Sequence, residues 1–260
     1  MTERIRKIRK MTDRFNRTEQ LIGKESLGKL KRARIAVFGL GAVGSYAVEA
    51  LARAGVGYLR LVDCDCIRPS NINRQLYALE STINKPKTEV ARARVLDINP
   101  NCTVEARQVF AEKSTLPELL AKPLDVVVDA IDSVAPKVEL IAAAVRAGIP
   151  IISSMGAATR TDPDLIRRGD ISETDVCPLA RFVRKRLRRR GIESGVRCIF
   201  SIEEPRNKGL PVGNEEPSFP KGRSRRPIGS LSYMTGIFGL LAAGEVIKMI
   251  LNKAQSDKGS

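Results

Sequence analysis

The sequence predicts an α/β protein with a Rossmann-like, doubly wound, mostly parallel sheet, and three observations carry that expectation. Short apolar runs alternate with longer helical stretches, a glycine-rich turn (Gly39-Leu40-Gly41-Ala42-Val43-Gly44) follows the first clear run, and an acid, Asp63, closes the next one. With 260 residues, 43% of them hydrophobic, the chain has enough material for one such domain with a C-terminal α+β extension. A disordered or fibrous protein is not expected from this composition.

Taken in order, residues 12–30 read as short helical pieces and 33–38 (A-R-I-A-V-F) as a buried strand ended by glycine. A helix over 42–54 closes at Gly55, and 58–62 (Y-L-R-L-V) forms a second strand that ends at Asp63. An irregular segment runs to Asn84, after which 87–98 has helical spacing, 103–109 reads as a strand, and 124–130 (L-D-V-V-V-D-A) as a buried one. A helix over 136–147 and a strand over 151–154 follow, separated by Gly148 and Pro150. Residues 179–190 (L-A-R-F-V-R-K-R-L-R-R-R) predict a basic amphipathic helix whose apolar stripe is Leu179, Phe182, Val183 and Leu187, and 196–202 predict a strand. Between 204 and 227, proline, glycine and charge predict a mobile basic loop, and 228–251 predict a buried or dimer-interface helix. Glu245 and Lys248 argue against that last segment spanning a membrane. The whole chain, 1–260, is expected to be one unit, with a nucleotide-binding core over 12–158 and a substrate and dimer part over 159–260.

The charge balance narrows the function classes. Lys and Arg number 45 against 29 Asp and Glu, so the net charge of +16 attracts polyanions, nucleic acid or anionic lipid among them. Histidine is absent, which removes the commonest proton carrier near neutral pH and leaves Arg, Lys, Asp, Cys and backbone groups for chemistry. The five cysteines form neither a disulfide framework nor Cys-x-x-Cys pairs, so no zinc site is expected and a reducing cytoplasm fits best. Residues 1–10 are basic with no apolar run after them, unlike a secretory signal.

Each part of the glycine turn has a physical job in nucleotide binding. Gly39 permits the tight turn, Gly41 lets backbone approach phosphates, Gly44 lets the helix pack on the strand, and Asp63, or Asp65 in its place, takes ribose hydroxyls. Dehydrogenases share that fingerprint. Downstream, Asn71-Ile72-Asn73-Arg74-Gln75 and then Lys87 bring two cations and several amides to the same crevice if the intervening loop folds back. Such a crevice, electropositive on this reading, suits a triphosphate better than a nicotinamide ring. Asp132 and Ser133 could also simply cap the helix that follows them.

These motifs together (R-F-N-R, G-L-G-A-V-G-S, D-C-D, N-I-N-R-Q, K-P-K-T-E and D-A-I-D-S) resemble the adenylating family of ubiquitin-activating enzymes and the bacterial activators of molybdopterin and thiamine biosynthesis. The resemblance implies that a substrate carboxylate attacks the α-phosphate of ATP. It also implies that Arg74, Lys87 and Asn71 hold phosphates, that Asp132 holds Mg²⁺, and that Arg17 reaches the site of a neighbouring copy in a homodimer. The second half (A-I-D-S-V-A-P-K, D-I-S-E-T-D-V-C-P-L-A-R and G-V-R-C-I-F-S-I-E) resembles the branch that cyclises threonylcarbamoyladenosine in tRNA with loss of water. That branch implies a tRNA partner, for which Arg181, Arg188 and Arg189 are the candidate contacts, backed by Arg223, Arg225 and Arg226. Two alternatives stay open: adenylation of a ubiquitin-like carrier among sulfur-transfer partner proteins, and a nucleotide-sensing tRNA-binding protein without turnover. Cys177 as a reactive thiol and a bound monovalent cation are also left open.

Overall fold

Seven strands make one sheet: β1 (Arg34–Phe38), β2 (Tyr58–Val62), β3 (Thr103–Arg107), β4 (Val126–Asp129), β5 (Ile151–Ser154), β6 (Ile166–Asp170) and β7 (Arg197–Ser201). The computed structural model describes residues 14–121, 123–206 and 228–252. Strand order is β3-β2-β1-β4-β5-β7-β6, and every pairing is parallel except β6 with β7. From β1 the chain winds outward to β2 and β3, then crosses back to β4 on the other side. The switch point therefore lies between β1 and β4, where open α/β sheets place their ligands.

Both faces are covered, which is why the central strands read as unbroken apolar runs. On β1, Ile35 and Val37 face one layer and Ala36 and Phe38 the other, as the two-residue period of a strand dictates. Helices α1 (Asn16–Ile22), α2 (Lys24–Arg32), α3 (Gly44–Ala54) and α4 (Lys87–Ile98) precede β3, and α5 (Leu116–Leu119), α6 (Val134–Arg146), α7 (Pro178–Arg188) and α8 (Ser232–Asn252) follow it. The first core joins α2, α3, α4 and α8, and the second joins α5, α6 and α7. By length and composition α8 is apolar enough to cross a membrane, yet here it packs on α3. A Cβ at Gly239 would come within 2.3 Å of the Val43 carbonyl oxygen, so glycine sets that close approach. Glu245, buried on α8, pairs with Arg197 at 2.9 Å, Arg168 at 3.3 Å and Lys248 at 3.4 Å.

The parallel, doubly wound expectation is met, with three differences. The antiparallel edge strand β6 was not anticipated, because I-R-R-G-D lacks apolar alternation and owes its extended form to pairing with β7. On α7 the buried stripe is Ala180, Val183 and Leu187, while Phe182 is 49% exposed, since small Ala180 fits where the helix meets the core. Helix α6 opens at Val134, two residues earlier than expected, with Pro136 in its first turn. Most of the basic loop expected over 204–227, with Arg223, Arg225 and Arg226, lies outside the described residues.

One buried polar knot ties β4, β5 and α6 together. Lys137 Nζ, wholly inaccessible, donates to Asp129 Oδ2 at 2.6 Å and to the Ser154 carbonyl at 2.9 Å, and Ser153 Oγ donates to Asp129 Oδ2 at 2.6 Å. Asp129 Oδ1 accepts the Ile131 amide at 3.1 Å, which shapes the turn after β4. Removing one partner strands a buried charge, so Lys137→Met should lower the unfolding free energy by about 3–5 kcal/mol. Urea denaturation measures this, and a loss below about 1 kcal/mol would show that the knot bears little of the stability.

Candidate functional site

The glycine turn sits at the switch point, immediately after β1. Gly39 has φ +86°, and a Cβ there would meet the Ala130 carbonyl oxygen at 2.7 Å. A Cβ on Gly44 would fall 1.7 Å from the Gly39 carbonyl oxygen, so the first turn of α3 has room only for glycine. Gly41 differs: its backbone lies outside the left-handed region, and a Cβ would meet nothing nearer than the Gln75 amide nitrogen at 3.7 Å. The fold itself thus tolerates a side chain at Gly41. Helix α3 opens without a side-chain cap, leaving its N-terminal end to other partners.

Asp63 directly follows β2 and braces the turn. Its Oδ2 accepts the Leu40 amide at 2.6 Å and its Oδ1 accepts the Asp65 amide at 2.8 Å. Burial pushes the Asp63 carboxyl above its usual range, against the pull of Lys87. Beside it, Lys87, the first residue of α4, is 5% exposed and pairs with Asp65 Oδ2 at 2.9 Å. Burial alone would draw the Lys87 ammonium down, but Asp63, Asp65 and Asp132 more than offset it and raise its pKa. The site is therefore not simply electropositive: three carboxylates act on one buried ammonium, because the positive surplus of the chain lies elsewhere. Asp63, Asp65 and the Cys64 sulfur lie within 4.8 Å of one another, and burial together with the two acids pushes the Cys64 thiol up to about 12. That leaves carboxylate oxygens as the available metal ligands there.

The loop after Cys66 does fold back. Leu76 donates its amide to Ser45 Oγ at 3.2 Å and Tyr77 its hydroxyl to the Ser45 carbonyl at 3.2 Å, which lays the 71–77 segment over the start of α3. Asn71 is 8% exposed and accepts the Arg68 amide at 3.1 Å. Arg74 donates to the Ser70 carbonyl and to Asn73 Oδ1, both at 2.8 Å, and no carboxylate among the described residues pairs with it. Asp132 is exposed in the turn between β4 and α6. Ser133 occupies the N-cap position of α6 without a side-chain cap bond.

Arg17 is the residue the fold does not bring to this place. It is exposed on α1, whose neighbouring Arg14 donates to the Asp97 and Ile98 carbonyls at the end of α4, and whose Phe15 faces Gly55 at the end of α3. Helices α3 and α4 both begin at the carboxyl edge of the sheet, so their ends lie at the opposite edge. On α7, Arg181, Arg188 and Arg189 are exposed, form no ion pair among the described residues, and Arg181 stacks over Phe182 at 5.5 Å. Arg190, grouped with them in the sequence, is instead paired to Glu139. Cys177 is 3% exposed at the N-cap of α7, a packed position. No sequence pattern pointed to Arg160, which is 2% exposed after β5.

With this geometry in place, the sequence profile described as ThiF family matches residues 15–259. The chain belongs to the ThiF family. Among curated ThiF-like relatives, the tRNA threonylcarbamoyladenosine dehydratase of Bacillus subtilis is 42% identical over 245 residues, covering 93% of this chain and 96% of that protein. The protein of the same name from Escherichia coli is 34% identical over 255 residues, with 93% and 94% covered. The crystal structure of the E. coli tRNA N6-threonylcarbamoyladenosine dehydratase in complex with ATP superposes with a TM-score of 0.83 at 34% identity, covering 94% of this chain and 96% of that one. Its AMP complex gives a TM-score of 0.84 with the same coverage.

The two inner glycines should separate in experiment. Gly44→Ala forces backbone apart and should lower the unfolding free energy by about 3 kcal/mol or more, whereas Gly41→Ala should stay within about 1 kcal/mol of the parent. Equal losses in chemical denaturation would make Gly41 a packing residue.

Proposed function

We propose that this chain is an ATP-dependent enzyme that adenylates the carboxylate of threonylcarbamoyladenosine in tRNA and closes it into a ring, with net loss of water. The observation that carries the reading is the buried Lys87 ammonium beneath the glycine turn, held by Asp65 and surrounded by Asp63 and Asp132. Membership of the ThiF family and the names of the full-length relatives support it. ATP is the nucleotide named with the E. coli relative.

In this reading the nucleotide lies across the carboxyl ends of β1 and β4. Asp63 takes ribose hydroxyls with the lone pairs its two backbone partners leave, and Gly39, Gly41 and Gly44 bring amides to the phosphates. Tolerance of a Cβ at Gly41 within the chain's own packing fits a glycine kept for ligand approach. Lys87, Arg74 and Asn71 face charge that grows on phosphate oxygens as a carboxylate oxygen attacks the α-phosphorus and pyrophosphate leaves. A ureido nitrogen then attacks the acyl carbon, gives up its proton, and AMP departs. Nucleophile and electrophile share one molecule, so high effective molarity replaces a strong base, in keeping with a chain that has no histidine.

Mg²⁺ fits the donor set, because hard carboxylate oxygens surround Lys87 in excess of its charge; Asp132 would hold the ion, which would neutralise triphosphate oxygens when bound. Arg17, at the far edge of its own sheet, serves a second copy in a homodimer. Residues 12–158 form the nucleotide core and 159–260 the substrate and dimer part of a cytoplasmic protein. Exposed Arg181, Arg188 and Arg189 on α7 contact tRNA phosphates.

Two measurements test this. In single-turnover mass spectrometry with ATP and tRNA bearing threonylcarbamoyladenosine, the parent should convert the nucleoside by loss of one water with release of AMP, and Lys87→Met and Arg74→Ala should each slow this at least about 100-fold. Unaltered nucleoside with the parent would refute the reading, and adenylation of a ubiquitin-like carrier instead would transfer the chain to that chemistry. Separately, Arg188→Glu with Arg189→Glu should weaken tRNA binding and flatten the slope of log affinity against log salt by about 1–2. An unchanged slope would remove α7 from the RNA surface.

A further inference from the structure

Beyond the nucleotide site, the loop after β5 carries a buried cation with no hydrogen-bond partner among the described residues. Arg160 is 2% exposed, and its Nε and Nη1 lack any hydrogen-bond partner. Cys177, Glu203 and Glu204 act on it only through longer-range electrostatics, and no ion pair to it exists among the described residues. Leaving a guanidinium buried and unsatisfied is costly, so such a group calls for an explanation by function.

The surrounding backbone holds Arg160 in place on both sides. Thr159 donates its amide to the Gly229 carbonyl at 2.9 Å and accepts from the Arg206 amide at 3.1 Å. Thr161 and Asp162 donate their amides to Glu203 at 2.8 Å and 2.9 Å, and the Thr161 carbonyl accepts the Tyr233 hydroxyl at 2.6 Å. Thr159 itself has φ +62°, a region that β-branched residues rarely adopt. The same strand-to-strand junction reaches the nucleotide side: Asn73 Nδ2, next to Arg74, donates to the Ser230 carbonyl at 3.2 Å, one residue from Gly229. Ser230 Oγ is a second buried polar atom without a partner.

We infer that Arg160 forms an anion subsite that receives the carboxylate of the acyl substrate next to the nucleotide. This rests on the adenylation reading above. A guanidinium offers a planar fork of donors that matches a carboxylate. A residue 2% exposed is reached by a small terminal group on a slim arm, not by a phosphodiester flanked by two riboses. The subsite offsets the repulsion between the incoming carboxylate and the triphosphate, and it lets the enzyme tell modified from unmodified RNA.

The test uses the full chain with a non-hydrolysable ATP analogue and three RNAs: tRNA bearing threonylcarbamoyladenosine, its carboxyl methyl ester, and the same tRNA without the modification. The parent should bind the free carboxylate about ten- to a hundredfold more tightly than the ester. Arg160→Gln should abolish that preference while keeping the parent's affinity for unmodified tRNA, and Arg160→Lys should keep part of it. Thermal midpoint should be unchanged or raised in Arg160→Gln, because the charge removed has no partner. The inference is overturned if the parent shows no preference, if Arg160→Gln retains it, if the variant loses affinity for all three RNAs equally, or if its midpoint falls by several degrees. Turnover by the parent with ATP is read separately: its failure beside an intact carboxylate preference sinks the adenylation chemistry and leaves the subsite standing.

Discussion

Everything at the carboxyl edge depends on an ion pair that water does not reach. Lys137 and Asp129, with Ser153 between them, hold the ends of β4 and β5 to the first turns of α6. The second oxygen of Asp129 fixes the Ile131 amide, so the same carboxylate that satisfies the buried ammonium sets the path of the chain into Asp132. Across the switch point, Asp63 does the equivalent for the glycine turn by taking the Leu40 amide. Two buried or half-buried acids thus replace side-chain caps in shaping both turns that flank the crevice.

The charge of the molecule is divided by location. Its surplus of cations lies on surfaces such as α7, where Arg181, Arg188 and Arg189 face solvent, whereas acids predominate around Lys87. A polyanion would thus be drawn to the surface by long-range attraction and not by the acids around Lys87. Arg160 belongs to neither group, being a buried cation with no ion pair among the described residues.

Local patterns made the first half of this architecture legible. The glycine spacing, the apolar runs of β1, β2 and β4, and the helical stretch starting at Lys87 each announce themselves within a dozen residues, and all five lie where the pattern put them. Asn71, Arg74 and Lys87 were legible as types, but the return of the loop that carries the first two is secured by Ser45, a residue no motif singles out. β6 escaped notice because its extended form comes from β7 and not from its own residues. Phe182 was misplaced because helical spacing gives a stripe but not which edge of the stripe the core accepts. Arg160 was invisible for a related reason: an arginine in a basic chain looks ordinary until burial makes its lack of partners costly.

Thr159 has a consequence for how this family can vary in length. Its amide is bonded to Gly229 and its carbonyl to Arg206, so residues 206 and 229 are held together on a single residue. Closing a connection whose ends already meet costs entropy that grows only with the logarithm of its length. A change in the number of residues joining those two points therefore adds little to the cost of bringing them together.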